Sequence, residues 1–163
     1  MESSTYWYNS PLGSIQLFSS DDELFGLYFR DGTHESSSVQ KGGLPHLVFS
    51  QLHAYFSGDL LNFDIPLNPQ GTAFQQSVWK MLLSVPFGKT MGYLELAKKM
   101  GDAKKIRAVA NANAKNPISI IIPCHRIIGS DGSLTGYAGG LHRKKWLLEH
   151  EQKTKQLSLF DID

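Results

Sequence analysis

The tetrapeptide Asn68-Pro69-Gln70-Gly71 divides the chain into two stretches whose apolar residues recur with different periods. Ahead of it, "TYWYNSP", "GSIQLFSS" and "LFGLYFRDG" are short, aromatic or β-branched runs, each bounded by Pro, Gly or Asp. That pattern predicts three strands. "SSSVQKGG" reads as a loop and "PHLVFSQLHAYFSG" as a helix. Pro45 suits the first turn, Leu47, Leu52, Tyr55 and Phe56 form an apolar stripe, and Gly58 suits the end. "LLNFDIPL" reads as one more strand. The expected class is α+β: a sheet domain with one helix over 1–69, a helical domain over 70–152, and a tail over 153–163.

Beyond the linker the period becomes helical. Thr72 and Gln75 have the spacing of a capping box ahead of "FQQSVWKMLLSV", and Pro86-Phe87-Gly88 breaks that helix. "YLELAKKM" is a short helix closed by Gly101, and Asp102 can cap the next, "AKKIRAVANANAK". Two short helices across a tight Gly-Asp turn read as a helix-turn-helix. The second helix carries Ala108, Ala110, Ala112 and Ala114 with Asn111 and Asn113, so its backbone can approach a neighbour closely. Either it packs in a core, or it lies in a groove too narrow for large side chains. Lys98, Lys99, Lys104, Lys105 and Lys115 around it favour nucleic acid. "GGLHRKKWLLEHEQK" is the last helix, with Leu141, Trp146 and Leu148 expected in its core stripe. "TKQLSLFDID" has no evident place in a core.

Charge follows the same division. Residues 1–69 hold two basic and eight acidic residues, a net −6, and residues 70–163 hold fourteen basic and seven acidic, a net +7; together these give the overall +1. A basic half beside an acidic one fits a polyanion partner for one half only, and it also fits a chance distribution of solvated charge. With 163 residues, 41% hydrophobic and 19% charged, the composition is that of a globular protein. One cysteine excludes an internal disulfide and disfavours a cysteine-based zinc site. No apolar stretch has the length of a membrane span, and MESSTYWYNS lacks the features of a signal peptide. The expectation is a cytoplasmic protein without metal or cofactor.

The one cysteine, Cys124, lies in "IPCHRIIGSDGSLTGYAGG". Ile118 to Ile122 read as a buried extended segment after the helix stop at Asn116-Pro117. In extended chain, Cys124 and His125 point to opposite faces, which argues against a directly paired Cys-His hydrolase. A contact through water remains open if the chain turns there. Arg126 and Lys144 are cations that could favour a thiolate. An inert buried cysteine is the plain alternative. Five glycines after it, Gly129 to Gly140, allow a loop to wrap a flat ligand, and Tyr137 offers a face to stack on it.

"NPISIIIPCHRIIG", "GYAGGLHRKKWLLEHE", "GTAFQQSVWKML" and "YLELAKKM" with "IRAVANA" resemble the O6-alkylguanine-DNA alkyltransferases, also called methylated-DNA–protein-cysteine methyltransferases. The resemblance runs from about 71 to 151 in order. It implies an RNase H-like N-terminal sheet domain and a C-terminal domain whose helix-turn-helix enters the minor groove of double-stranded DNA containing alkylated bases. It implies Cys124 as alkyl acceptor in a single turnover, with O6-alkylguanine and O4-alkylthymine as substrates. His125 matches the water-linked base and Glu151 the carboxylate that orients it. Tyr93 matches the tyrosine that assists base rotation and bonds the guanine. Asn116 matches a brace of the active-site turn, and Lys144 a lysine near the acceptor. Tyr137, Ala138 and Gly139 match the loop over the base. Arg107 matches the arginine that takes the place of the extruded nucleotide, with Ala108, Ala110, Asn111, Lys104, Lys105 and Arg126 on the DNA side. Met91-Gly92 precedes Tyr93 where a serine is expected. No zinc ligand set is available, so the metal of some family members is expected to be absent; no cofactor and no membrane are expected, and the chain is expected to be a monomer associated with the bacterial nucleoid.

Two other readings stand beside it. A DNA-binding module without chemistry explains the charge but leaves Pro-Cys-His-Arg unexplained. A cysteine hydrolase is disfavoured by the Cys-His adjacency. The tail adds a separate expectation. Gln156, Leu157, Ser158, Leu159 and Phe160 match the bacterial sliding-clamp binding motif at every position. The alternative is that these apolar residues fold back onto the N-terminal sheet.

Overall fold

The structure, a computed structural model, describes residues 3–160, with side chains as far as Leu157. The described chain forms two compact units. The first takes in the chain up to Gln70 together with Pro117–Ile121, and the second takes in Gly71–Asn116 and the chain from Ile122 onward.

In the first unit, β1 (Ser4–Ser10), β2 (Gly13–Ser19) and β3 (Leu24–Arg30) form an antiparallel sheet in that order. The strands appear where the sequence places them. The register aligns Tyr8 with Ile15 and Phe29, and Tyr6 with Leu17 and Leu27, so one face collects the apolar residues. Helix α1 (Leu44–Phe56) buries Leu44, Val48, Leu52 and Tyr55. Leu52 and Tyr55 of the expected stripe are buried, whereas Leu47 is 40% exposed and Phe56 half-buried, and Leu44 and Val48 complete the buried face instead. Tyr8 meets Phe49 of α1 edge-on at 5.1 Å. "LLNFDIPL" does not form the expected strand. Only Leu67 bridges Leu24, through Leu24 N to the carbonyl of Pro66 at 2.9 Å and Asn68 N to the carbonyl of Leu24 at 2.8 Å. Pro66 has no N–H with which to continue a ladder.

The run 117–121 corrects another expectation. Ile118 bridges Leu27, with Leu27 N bonded to the Pro117 carbonyl and Ser119 N to the Leu27 carbonyl, each at 2.9 Å. The segment then turns instead of staying extended to Ile122. Ile121 N reaches back to the Ser119 carbonyl at 2.8 Å, and Ile120 adopts a φ of +71°.

In the second unit, α2 (Ala73–Leu82) starts on the full Thr72/Gln75 capping box. Trp79 donates from Nε1 to the Ala112 carbonyl at 2.8 Å and so ties α2 to α4 (Ile106–Ala114). Two-residue strands β4 (Met91–Gly92) and β5 (Ile127–Ile128) pair in parallel. Helix α3 (Tyr93–Lys99) follows β4, turns at Gly101 with φ +104°, and leads to a 3-10 turn over Ala103–Lys105. Asp102 caps that turn by accepting from Lys104 N at 2.9 Å. This is the helix-turn-helix of the sequence.

Helix α5 (Leu141–Phe160) differs from expectation in length and in face. It continues through Gln156–Phe160, where a separate tail was expected. Its buried positions are Arg143, Lys144, Leu147, Glu151 and Thr154, while Leu141 is 50% exposed and Trp146 and Leu148 are half-buried. Among the described residues no helix is long and apolar enough to cross a membrane.

Candidate active site

Cys124 opens a 3-10 turn, Cys124–Arg126, directly after Pro123. The chain is therefore tightly turned here, and the alternation expected of extended chain does not apply. The turn is braced from α4 and just beyond it. Asn116 donates from Nδ2 to the Ile122 carbonyl at 2.8 Å, and Asn113 from Nδ2 to the Cys124 carbonyl at 3.4 Å. The thiol itself is 5% exposed. Burial pushes its pKa up to about 11, against the opposing pull of the Asn116 side chain and the Lys144 charge. The resting group is thus a thiol, and it needs a base to become a nucleophile.

His125 and Glu151 form a bonded pair. The imidazole Nε2 lies 2.7 Å from Glu151 Oε2, and both side chains are buried. Burial lowers the His125 pKa, outweighing the Glu151 charge, so the ring rests neutral at pH 7. A neutral ring facing a carboxylate through Nε2 carries its proton there. Nδ1 is then the basic nitrogen, and it is buried with no hydrogen-bond partner among the described residues. Burial also works against the Glu151 charge. The bonds and charges of His125 and Arg126 outweigh it and hold the carboxyl well below the usual range.

Arg126 corrects its expected place on the DNA side. It donates from Nε to Glu151 Oε1 at 2.8 Å, from Nη2 to Oε2 at 3.1 Å, and from Nη1 to the Val85 carbonyl at 2.7 Å. Its guanidinium also lies over the Phe87 ring. All of its fork is directed inward, at 7% exposure, because a buried carboxylate needs a paired cation.

Lys144 is buried on α5 and donates to the Ile127 carbonyl at 2.6 Å and the Thr135 carbonyl at 2.8 Å. Burial lowers its pKa to about 8, with Cys124 opposing the shift. Tyr93, half-buried at the start of α3, donates its hydroxyl to the same Thr135 carbonyl at 3.2 Å. Burial raises the Tyr93 pKa, so the phenol is protonated at neutral pH. Within the Gly-rich loop Tyr137 is buried and Ala138 exposed, and the Gly139 carbonyl accepts from Arg143 at 3.1 Å.

On α4 the buried residues are Val109, Ala112 and Asn113. Arg107, Ala108 and Asn111 are exposed with Lys104 and Lys105 before them, and Ala110 is half-buried. Small residues therefore lie on the open surface as well as in the core. Contributors of two kinds are not assigned from the sequence, one side chain and three backbone carbonyls. Asn113 lies on α4 and Asn116 beyond its end, so no helical spacing links the two, and the bond of Asn113 to the Cys124 carbonyl has no signal in the sequence. The carbonyls of Thr135, Ile127 and Val85 have no side-chain signal. Among the described residues no cluster of His, Cys, Asp and Glu could hold a metal ion.

Residues 73–153 match the DNA-binding domain of 6-O-methylguanine DNA methyltransferase, and residues 5–69 match its ribonuclease-like domain. The chain belongs to the 6-O-methylguanine DNA methyltransferase family. A Methanosarcina mazei methylated-DNA–protein-cysteine methyltransferase is 56% identical over 147 residues, covering 88% of this chain and 93% of that one. The Mycobacterium bovis enzyme of the same name is 45% identical over 159 residues, covering 94% and 96%. The crystal structure of Mycobacterium tuberculosis OGT in complex with DNA superposes with a TM-score of 0.78 at 41% identity, covering 91% and 92%. The family's DNA-binding region takes in Tyr93, Asn116, Cys124, His125, Lys144 and Glu151.

Proposed function

We propose that this chain repairs O6-alkylguanine in DNA by moving the alkyl group irreversibly to Cys124. The observation that carries the assignment is the buried His125–Glu151 pair beside a buried thiol, with His125 Nδ1 left free to accept a proton. Through a water, Nδ1 takes the thiol proton while Glu151 holds the ring and stabilises the imidazolium. The Cys124 thiolate attacks the alkyl carbon in line. A C–S bond forms, the bond from carbon to guanine O6 breaks, and its electron pair goes to the guanine. Tyr93 supplies the proton that the leaving base needs. Asn116 and Lys144 hold the turn and the loop. A thioether at saturated carbon has no easy hydrolysis route, so each molecule acts once.

The DNA is engaged from α4. Its exposed Ala108 and Asn111 allow close approach to the minor groove, Lys104 and Lys105 meet phosphates, and Arg107 fills the gap left by the extruded nucleotide. Tyr137, Ala138 and Gly139 close over the base. The decisive experiment incubates the protein with duplex DNA containing O6-methylguanine and maps peptides by mass. One CH2 on the peptide containing Cys124, at one equivalent per molecule, is expected. Repeated turnover, or label on another residue, refutes the assignment.

The end of α5 supports a second engagement. Gln156 and Leu157 are exposed, Leu157 at 56%, which favours docking on a partner over burial in this chain. The Ser158, Leu159 and Phe160 side chains lie outside the described residues. The partner proposed is a bacterial sliding clamp, which would hold a single-use protein near new DNA. Intact protein should bind a purified clamp, and both a chain ending at Lys155 and a Leu159→Ala/Phe160→Ala variant should not. Equal binding by all three, or none by the intact chain, refutes it.

A further inference from the structure

Between Lys104 and Lys115 the open surface of the helix-turn-helix is made of short or charged side chains, with one exception. Ile106, the first residue of α4, is 37% exposed and is the one large apolar side chain exposed in that stretch among the described residues. A β-branched residue is a poor choice for an exposed helical position where alanine serves better, and alanine is what this helix uses elsewhere. A single exposed isoleucine needs no explanation on an ordinary surface. It needs one on a surface stripped of bulk.

Its position on the helix is specific. Ile106, Ala110 and Asn113 follow the i, i+4, i+7 spacing and share one stripe. Asn113, at the far end, bonds the Cys124 carbonyl. Ile106 therefore lies about 10 Å up the helix, on the stripe that leads to the acceptor. Arg107, the next residue, is turned about 100° away, toward Asn111 and Ala114. The two neighbours address different places: Arg107 the open face of the helix, Ile106 the flank on the side of the thiol.

We propose that Ile106 is an apolar wedge that enters the minor groove beside Arg107 and parts the base step on the side from which the damaged nucleotide leaves. This rests on the reading that α4 lies in the minor groove. Proteins that bind there often unstack a step by inserting an isoleucine, leucine, phenylalanine or methionine. The wedge offsets part of the unstacking cost before the base reaches the pocket. It makes Ile106 a positioning residue for duplex substrate, with no part in transfer to the thiol.

The test uses the full chain with Ile106→Ala and Ile106→Met, and three substrates under single-turnover conditions. These are duplex DNA with O6-methylguanine, the same strand alone, and free O6-benzylguanine. Ile106→Ala should react about tenfold more slowly with the duplex, from the loss of three apolar carbons at the step. It should match the wild type on the other two substrates, where no duplex step is parted. Ile106→Met keeps an apolar wedge and should stay close to wild type on all three. Equal slowing on all three substrates would place Ile106 in the fold or the pocket and overturn the proposal. So would an unchanged duplex rate for Ile106→Ala. A wild-type protein that reacts with the free base but not with duplex DNA would instead refute the minor-groove reading beneath it, so the two failures are distinguishable.

Discussion

Tyr93 and Lys144 donate to one acceptor, the carbonyl oxygen of Thr135, at 3.2 and 2.8 Å. Lys144 also holds the Ile127 carbonyl, one residue past the acceptor turn, at 2.6 Å. One buried ammonium thus ties the start of the Gly-rich loop to its middle. The loop carries short-range bonds of its own, Gly129 N to the Ser133 carbonyl at 2.9 Å and Gly140 N to the Tyr137 carbonyl at 2.9 Å, and Gly132, Gly136 and Gly140 all take positive φ. In the mechanism proposed here Tyr93 must leave Thr135 to serve the guanine, while Lys144 keeps the loop in place.

Lys144→Met removes that tie without removing the bulk of the side chain. The Ile127 carbonyl loses its donor while the Thr135 carbonyl keeps Tyr93, and a buried group left without its partner costs about 1–3 kcal/mol. The expected result is alkyl transfer about ten- to a hundredfold slower on duplex DNA and on free O6-benzylguanine alike, together with faster protease cleavage in 129–136. Equal rates for wild type and variant would show that the loop needs no tether.

Acid should act on the site in two stages of the same sign. The His125 pKa in the folded protein lies below its ordinary 6.5 and the Glu151 pKa below its ordinary 4.5. A depressed folded pKa contributes stability that is complete above the unfolded value and is lost as pH falls through the folded one. Thermal stability should therefore begin to fall below about pH 6.5, as the unfolded state takes up a proton that buried His125 resists, and fall further below pH 4.5. The transfer rate should fall with protonation of His125. Melting curves and single-turnover rates from pH 8 to 4 measure both. In Glu151→Gln the stage below pH 4.5 should disappear.

The parts of the molecule legible in the sequence were those with a local chemical cause. Three strands end at turn residues, and α2 starts on a capping box that Thr72 and Gln75 announce. Half of the α1 stripe, Leu52 and Tyr55, is legible, but Leu44, Leu47 and Val48 are apolar alike at its start, and only packing chooses Leu44 and Val48 over Leu47. α5 could not be oriented from apolar spacing at all. It buries Lys144, Glu151 and Thr154 around Leu147, and a periodicity argument treats such residues as solvent-facing. Arg126 was assigned to DNA for the same reason: its charge is readable in sequence, but its buried partner Glu151, twenty-five residues on, is not. The roles of Tyr93, Asn116 and Glu151 came from family resemblance, since nothing in their spacing from Cys124 brings them together.

Arg126→Lys tests that correction. A lysine cannot reproduce a planar fork that meets both Glu151 oxygens and the Val85 carbonyl. The variant should lose about 2–4 kcal/mol of stability, in the range for a buried pair with one partner compromised. The salt dependence of its DNA binding should stay that of the wild type, because no phosphate contact is lost. A shallower salt slope with unchanged stability would return Arg126 to the DNA surface.

Arg107→Ala should divide substrates by whether a nucleotide has to be extruded. Arg107 is exposed and makes no contribution to the buried pair or the thiol turn. Extrusion costs a few kcal/mol in a duplex and nothing for a free base. Duplex repair should slow by about tenfold or more while the reaction with free O6-benzylguanine is kept. Comparable losses on both would place Arg107 in the fold or the chemistry.

The last prediction concerns strain four residues before the acceptor. Ile120 is 1% exposed with a φ of +71°, a conformation that β-branched residues rarely adopt. Ile118, two residues earlier in the same unit, is 0% exposed and does not share the positive φ. Glycine at either position deletes the same side chain and loses about the same apolar burial, roughly 3 kcal/mol or more with the cavity included. At 120 it also relieves the left-handed strain, worth about 1–2 kcal/mol. At either position glycine also adds about 1 kcal/mol of backbone entropy cost, and at 118 no strain is relieved. Burial outweighs strain, so both variants should be less stable than the wild type. Ile120→Gly should nevertheless be the more stable of the two by about 1–2 kcal/mol, the relieved strain, since the glycine entropy cost is common to both. Chemical denaturation of the pair measures that difference directly. Equal losses, or a larger loss at 120, would mean that Ile120 bears no strain in the native turn.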